Sequence, residues 1–189
     1  MTTSDRMPPL RPEQMNDAQR KAADELIAGP RKGVKGPFIA LLRSPELLAR
    51  LQKVGEYLRF QSALSTRINE FVTLIVARAY TQDFEWSVHL PLAAKAGTSE
   101  ETLAALAQGR RPPAMAEDEA VAYDFTTELL ARHGVCDATY ARTVAVFGEQ
   151  GLIDLVGLIG YFAAISMVLN VAHTPPETLT GPPLERFPR

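Results

Sequence analysis

The sequence predicts an all-α protein, and three observations lead to this prediction. Apolar residues recur three and four positions apart through most of the chain, which is the spacing of one helix face. Residue pairs that cap helices precede several of these segments, and glycine or proline follows them. No segment alternates strictly between apolar and polar residues, and none carries a hairpin turn signal. The 189 residues are enough for one domain with a sizeable core.

Three helices are predicted before the central part of the chain. Asn16 and Gln19 form the pattern of a capping box at the start of the first helix. Ser44 and Pro45 are a typical N-cap and N1 pair for the third. The loop at 31–37 holds two glycines and two lysines, but its glycine spacing is not that of a phosphate-binding motif. The expected bounds of the three helices are 16–28, 38–42 and 44–60.

Four more helices are predicted after the central part. Thr98 with Glu101 is a second capping box, Gly134 is expected to end the second of these helices, and Asp137 to cap the third. The expected bounds of the four helices are 98–108, 116–133, 137–147 and 151–172. The chain is predicted to form one domain with an N-terminal arm and a proline-rich C-terminal tail, whose bounds are 1–189, 1–12 and 174–189.

Composition and charge exclude several classes of function. The net charge is −2 and lysine and arginine form no long run, so no nucleic-acid partner is expected. Cys136 is the single cysteine, which excludes an intrachain disulfide and leaves no thiol pair for redox chemistry. The N-terminus lacks the apolar core of a signal peptide, so we expect a cytoplasmic protein.

The segment 155–172 contains eighteen residues without a charge, which is the lower limit for a membrane span. Two glycines, a serine and an asparagine lower its hydrophobicity, and no basic flank follows it. We therefore expect no membrane, and instead a helix buried in the core or in a subunit interface. Such an apolar helix in a small protein favours a homo-oligomer.

The candidate site lies at the centre of the chain, on two adjacent predicted helices. The first, which Ser65 caps, covers 67–80 and carries Glu70 among its apolar residues, where a carboxylate requires a partner or a raised pKa. After a short polar break, the second helix carries Glu85 and His89. These two residues are four positions apart, so their side chains share one helix face.

Four sequence runs around this site resemble the carboxymuconolactone decarboxylase family. They are RINE at 67–70, LIVAR at 74–78, FEWSVH at 84–89 and AAKAGTSEE at 93–101. The resemblance implies the helical bundle that this family shares with alkylhydroperoxidase D proteins, with a central antiparallel helix pair. It also implies a homo-oligomer built on trimers.

The chain differs from the peroxidase members of the family at two positions. Those members carry a Cys-x-x-Cys pair whose first cysteine lies twelve residues after a glutamate. Counted from Glu70, the two positions hold Gln82 and Glu85, and His89 follows four residues later. Because dithiol peroxidase chemistry requires a thiolate, we expect no such activity. The remaining pattern resembles the decarboxylase branch, which keeps a glutamate four residues before the histidine.

The residue types at the site suit proton transfer. Decarboxylation of a lactone-like acid leaves an enolate or carbanion that must be protonated, which a histidine near neutral pKa can do while a carboxylate sets its tautomer. The predicted catalytic residues are His89, Glu85 and Glu70. The predicted substrate-binding residues are Trp86, Gln82 and Arg67, with Arg78 as an alternative partner for Glu70 or a substrate carboxylate. Without the resemblance, an ordinary intrahelical pair at Glu85 and His89, and simple packing of Trp86, explain the same residues.

Two hypotheses about function remain at this stage. In the first, the protein is a lyase-type enzyme that decarboxylates or isomerises a small carboxylated lactone or related ring without a cofactor. In the second, it is a non-catalytic ligand-binding or assembly protein on the same fold. A basic group near His89 favours the enzyme, whereas a filled apolar interior favours the second hypothesis. A metal ion on Glu70, Glu85 and His89 is conceivable, but no second histidine lies nearby and we expect none.

Overall fold

The computed structural model of the protein describes residues 5–176 and 183–185. Within these residues it contains eight α-helices and one 3₁₀ turn and no strand, so the all-α prediction is confirmed. The helices are α1 (Asp17–Ala28), α2 (Pro37–Leu41), α3 (Pro45–Phe60), α4 (Thr66–Ala79), α5 (Asp83–Lys95), α6 (Glu100–Ala107), α7 (Glu117–Arg132) and α8 (Asp137–Ala172). Parts of the predicted arm (1–4) and tail (177–182 and 186–189) lie outside the described residues.

Helix α4 lies at the centre of the molecule and packs against α5, α7 and α8. The Ser65 hydroxyl accepts a hydrogen bond from the Ile68 amide at 3.3 Å and caps its first turn, as predicted. The side chains of Phe71, Val72 and Leu74 are completely buried although they point to different sides of the helix. Because α4 is enclosed on several sides, any polar side chain on its inner turns requires a partner within the protein.

The long C-terminal helix contains a kink at the place where the sequence predicts a break between two helices. α8 runs from Asp137 to Ala172 through Gly148, whose φ of 71° and ψ of 174° are accessible to glycine alone. By length and composition α8 could cross a membrane, with a mean hydropathy of 2.2 over eighteen residues. In this eighteen-residue window, 61% of the residues are buried inside the protein. Core helices of soluble proteins also meet this criterion of length and hydropathy.

Several predicted helix caps are wrong in detail. Ser99 caps α6 in place of Thr98, because its hydroxyl accepts the Thr102 amide at 3.1 Å. α7 ends at His133, which takes the left-handed conformation one residue before Gly134. Asp137 is the first residue of α8, and Cys136 occupies the cap position. Ser44 precedes α3 but makes no capping side-chain bond. The errors at Thr98, Gly134 and Asp137 shift the cap by one residue and leave the helix in place, whereas Ser44 and Pro45 hold the predicted N-cap and N1 positions.

Candidate active site

A cavity of about 400 Å³ opens between the loop before α2, the end of α3, and helices α5 and α8. Its volume is suited to a small molecule. One side of it is lined by apolar residues, among them Phe84, Val88, Phe162 and Ile165. Polar and charged residues also line it, and these are Arg31, Lys35, Arg59, Glu85, His89 and Tyr161.

His89 lies in the cavity wall between two carboxylates. Its Nδ1 is 2.5 Å from Oε2 of Glu70, and its Nε2 is 3.4 Å from Oε2 of Glu85. Phe162 packs edge-on against the imidazole, with ring centroids 5.1 Å apart. All three polar side chains are less than a tenth exposed. The structure therefore brings the three predicted catalytic residues, Glu70, Glu85 and His89, into one contact group.

The surroundings of His89 act on its pKa in opposite directions. Burial favours the neutral ring, but hydrogen bonds and charge interactions with Glu70 and Glu85 outweigh it and raise the pKa of His89 above its ordinary value. An imidazolium donates through both nitrogens, and each nitrogen here faces a carboxylate oxygen. His89, together with Glu70 and Glu85, can therefore hold a proton on its buried imidazole beside the cavity.

Arg59 is the further partner of Glu70. Its Nη2 lies 3.8 Å from Oε1 of Glu70, while Oε2 of the same carboxylate faces His89. Glu70 thus lies between a guanidinium and an imidazole. These two groups are the partners that a carboxylate buried on α4 requires. The sequence predicts Arg67 or Arg78 for this role, but the structure places Arg59 there.

Arg31 and Tyr161 form a second polar pair in the cavity wall. Nη2 of Arg31 donates to the Tyr161 hydroxyl at 3.5 Å, and its guanidinium stacks over Phe38 at 4.3 Å from the ring centroid. Burial raises the pKa of Tyr161 despite the opposing effect of Arg31, so the hydroxyl stays protonated at neutral pH. Sequence reasoning missed this pair because no spacing rule relates the loop before α2 to α8. The basic residues of that loop were the available signal.

A glycine allows this loop to approach α5 closely. Gly36 has a φ of 54°, and a Cβ atom built on it would lie 2.4 Å from Cζ of Phe84. A side chain at position 36 would therefore collide with the aromatic ring that lines the cavity.

The three residues predicted to bind substrate do not line the cavity of His89. Arg67 pairs with Asp118 at 2.6 Å and Glu119 at 2.7 Å and thereby joins α4 to α7. Gln82 accepts the Phe84 amide at 2.7 Å and donates to Asn170 at 2.8 Å, so it caps α5 and ties it to α8. Trp86 is buried on a different face of α5, beside α6. Each of these side chains has a structural role in this fold.

The geometry does not favour a metal ion at Glu70, Glu85 and His89. The two carboxylates face opposite nitrogens of one ring, so the three groups do not converge on a common point. Among the described residues, no group of three or more His, Cys, Asp or Glu side chains is arranged to hold a metal ion.

The thiol chemistry of peroxidases has no counterpart at this cavity. Gln82 and Glu85 occupy the two positions where peroxidase members carry cysteine. Cys136 is exposed at the start of α8, where hydrogen bonds involving Thr139 lower the pKa of its thiol despite the nearby Glu128.

We expect Cys136→Ser to leave activity and fold nearly unchanged, because this thiol has no partner thiol and does not line the cavity. The test measures hydroperoxide consumption with a dithiol reductant for both proteins. A turnover that requires Cys136 would contradict the prediction.

The fold and site define a class of protein, namely an all-helical protein with a buried Glu–His–Glu group beside a small cavity. Residues 45–128 match the model of the carboxymuconolactone decarboxylase family, so this part of the chain is similar to that family. The match covers α3 to most of α7 and includes all three residues of the group.

A solved structure shows the same fold. It is the crystal structure of a protein of unknown function from Agrobacterium tumefaciens, provisionally named as the antioxidant defence protein AhpD. The two chains superpose with a TM-score of 0.66 at 16% identity, over 76% of this chain and 99% of the other. At this identity the similarity shows the alkylhydroperoxidase D-like fold alone. No curated protein matches the sequence.

Proposed function

We propose that the protein is an enzyme that decarboxylates or isomerises a small carboxylated lactone, or a related ring, by acid/base catalysis without a cofactor. The observation that carries the proposal is the buried contact group of Glu70, His89 and Glu85, of which His89 and Glu85 line a cavity large enough for such a ring. The match of residues 45–128 to the carboxymuconolactone decarboxylase family supports the same class of reaction.

The contact group can supply and take back one proton. Loss of carbon dioxide leaves the electron pair of the broken bond on carbon, where a ring carbonyl can hold it as an enolate. Glu85 lines the cavity and contacts Nε2 of His89, so a proton can pass from the imidazolium through Glu85 to that carbon. Glu70 keeps the ring oriented through Nδ1 and stabilises its charge. An isomerisation uses the same proton twice, first removed from and then returned to the substrate.

The form of the cavity supports the enzyme over the non-catalytic alternative. A protein that had lost its reaction would be expected to fill the space beside His89 with apolar side chains. Here the space is open, and two guanidinium groups, those of Arg31 and Arg59, line it together with His89. A carboxylated substrate requires a basic group at this place.

A substrate screen tests the proposed function. Carboxylated lactones and 2-oxo and 3-oxo acids are incubated with wild type, His89→Ala and the control His133→Asn, and carbon dioxide release and deuterium uptake from heavy water are measured. His133 ends α7 outside the cavity, and asparagine tolerates its left-handed conformation. We expect turnover by wild type and the control only. Equal turnover by His89→Ala would contradict the proposal.

We further infer a homo-oligomer built on trimers. α8 carries exposed apolar residues on its outer face, namely Ile153, Val156, Met167 and Val171. Their spacing of three, eleven and four places them along one stripe of the helix, and a stripe of this kind is typical of a subunit interface. Light scattering coupled to gel filtration should give a mass of three chains or a multiple. A monomer mass at micromolar concentration would contradict the inference.

The other expectations about partners and location stay predictions. These are a small-molecule substrate, no nucleic acid, no membrane, no cofactor and a cytoplasmic location.

A further inference from the structure

Arg31 is a partly buried cation, and the part of the chain that the structure describes gives it no anionic partner. Among the described residues, no carboxylate lies within ion-pair distance of it, and its buried Nε has no hydrogen-bond partner. Within the described ranges its one hydrogen bond is the long one, 3.5 Å, from Nη2 to the Tyr161 hydroxyl. A guanidinium carries five N–H donors, so most of its binding capacity is unused. A partly buried charge in this state is costly unless a ligand supplies the opposite charge.

Three elements hold Arg31 in its place. Phe38 of α2 stacks under its guanidinium, and Tyr161 of α8 accepts its hydrogen bond. Gly55 of α3 provides the room, because a Cβ atom there would lie 2.9 Å from Nη2 of Arg31 and 2.3 Å from the Tyr161 hydroxyl. The guanidinium is therefore positioned in advance, as a binding residue should be.

Arg59 differs from Arg31 although it lines the same cavity. Its charge is already paired with Glu70 at 3.8 Å, and through Glu70 it acts on His89. Substitution of Arg59 would change the proton-transfer group itself. Of the two arginines, Arg31 is the one whose charge is available to a ligand.

We propose that Arg31 binds a carboxylate of the substrate and so fixes the ring against the apolar wall of the cavity, with the reacting carbon at Glu85 and His89. This proposal rests on the proposed function. The planar fork of a guanidinium matches a carboxylate with two parallel hydrogen bonds. Pairing with the guanidinium stabilises the bound carboxylate as an anion.

The surroundings favour a carboxylate over a more highly charged anion. Glu85 lines the same cavity, and its negative charge opposes a ligand with two or more charges. Most of the remaining wall is apolar and suits a hydrocarbon ring. The Tyr161 hydroxyl accepts from Arg31, and its own proton has no acceptor among the described residues. It can therefore donate to the same carboxylate.

Calorimetric binding of unreactive probes tests the proposal without turnover. The probes are γ-butyrolactone γ-carboxylate and benzoate, each compared with its carboxamide, and inorganic phosphate. We expect wild type to bind each carboxylate more tightly than its amide and more tightly than phosphate. Arg31→Gln should weaken carboxylate binding by about 10- to 100-fold and leave amide binding unchanged, as for the loss of a charged hydrogen bond.

Two further variants complete the experiment. Arg31→Lys keeps the charge but loses the fork, and should retain part of the preference for carboxylates. Arg50→Gln is the matched control, because Arg50 lies on the exposed side of α3 and pairs with Glu46. It should bind the probes as wild type does.

The outcomes separate this proposal from the proposed function. No preference for carboxylates in wild type, tighter binding of phosphate, or an equal loss in Arg50→Gln would overturn the role of Arg31. Turnover that depends on His89 would still support the enzyme in those cases. Carboxylate binding that depends on Arg31, without turnover of any substrate in the screen, would support the Arg31 site and count against the enzyme.

Discussion

His89→Ala is expected to abolish most activity while the helical circular dichroism of the protein survives. A general acid or base typically contributes about 10²–10⁴-fold in rate, and His89 is the single imidazole in the cavity wall. Its removal takes away the proton store between Glu70 and Glu85. The measurement is kcat and kcat/KM on a substrate from the screen, with His133→Asn as the matched histidine control.

Glu85→Gln decides the role of the second carboxylate. If Glu85 transfers the proton itself, its loss should be as severe as that of His89. If it only orients the imidazole, the loss should be milder. In both cases the double variant should lose less than the sum of the two single losses, because both belong to one contact group. Purely additive losses would show that the two residues act separately.

Glu70→Ala is expected to cause the largest loss of stability, about 3 kcal/mol in the free energy of unfolding at acid pH. The substitution leaves both Arg59 and the Nδ1 side of His89 without their carboxylate partner in a buried place. Glu46→Ala is the control, since this glutamate is exposed on α3 and makes a surface pair with Arg50. Its midpoint of denaturation should remain close to that of wild type.

The loss in Glu70→Ala should depend on pH with a defined sign. The pKa of His89 is raised in the folded protein, so the stability that its protonation contributes is fully present below about pH 6.5. That contribution disappears as the pH rises through the folded-state pKa. Urea denaturation at about pH 5.5 and about pH 9 should therefore show a larger loss at the lower pH. A loss that grows with pH would contradict the charged His89–Glu70 pair.

The contact group could be predicted from the sequence because its residues lie on neighbouring helices. Glu85 and His89 share one helix face through their spacing of four, and a helical hairpin is enough to bring Glu70 to them. Local rules also predicted most helices, since caps and apolar spacing act over a few residues. The errors at Thr98, Gly134 and Asp137 concern which neighbouring residue makes the cap.

The opposite wall of the cavity could not be predicted in this way. Arg31 meets Tyr161 across 130 residues of sequence, and only the packing of the loop against α8 brings them together. Trp86 and Gln82, which were predicted to bind substrate, are near His89 in sequence, but Trp86 lies on another face of α5 and Gln82 caps its first turn. Two residues that are close in sequence on a helix need not point into the same cavity. Here the cavity is completed by three other elements, whose positions the local sequence does not specify.

The contact between Gly36 and Phe84 limits how this cavity could be redesigned. Because the backbone at Gly36 packs closely against the Phe84 ring, the loop that carries Arg31 cannot move closer to α5. Any side chain at position 36 would displace this loop from α5. An engineer who wants a wider range of substrates therefore has little freedom along this side. Phe60 offers more, since it lines the same cavity and is 61% exposed. Smaller residues there would enlarge the entrance while the loop keeps its place on α5.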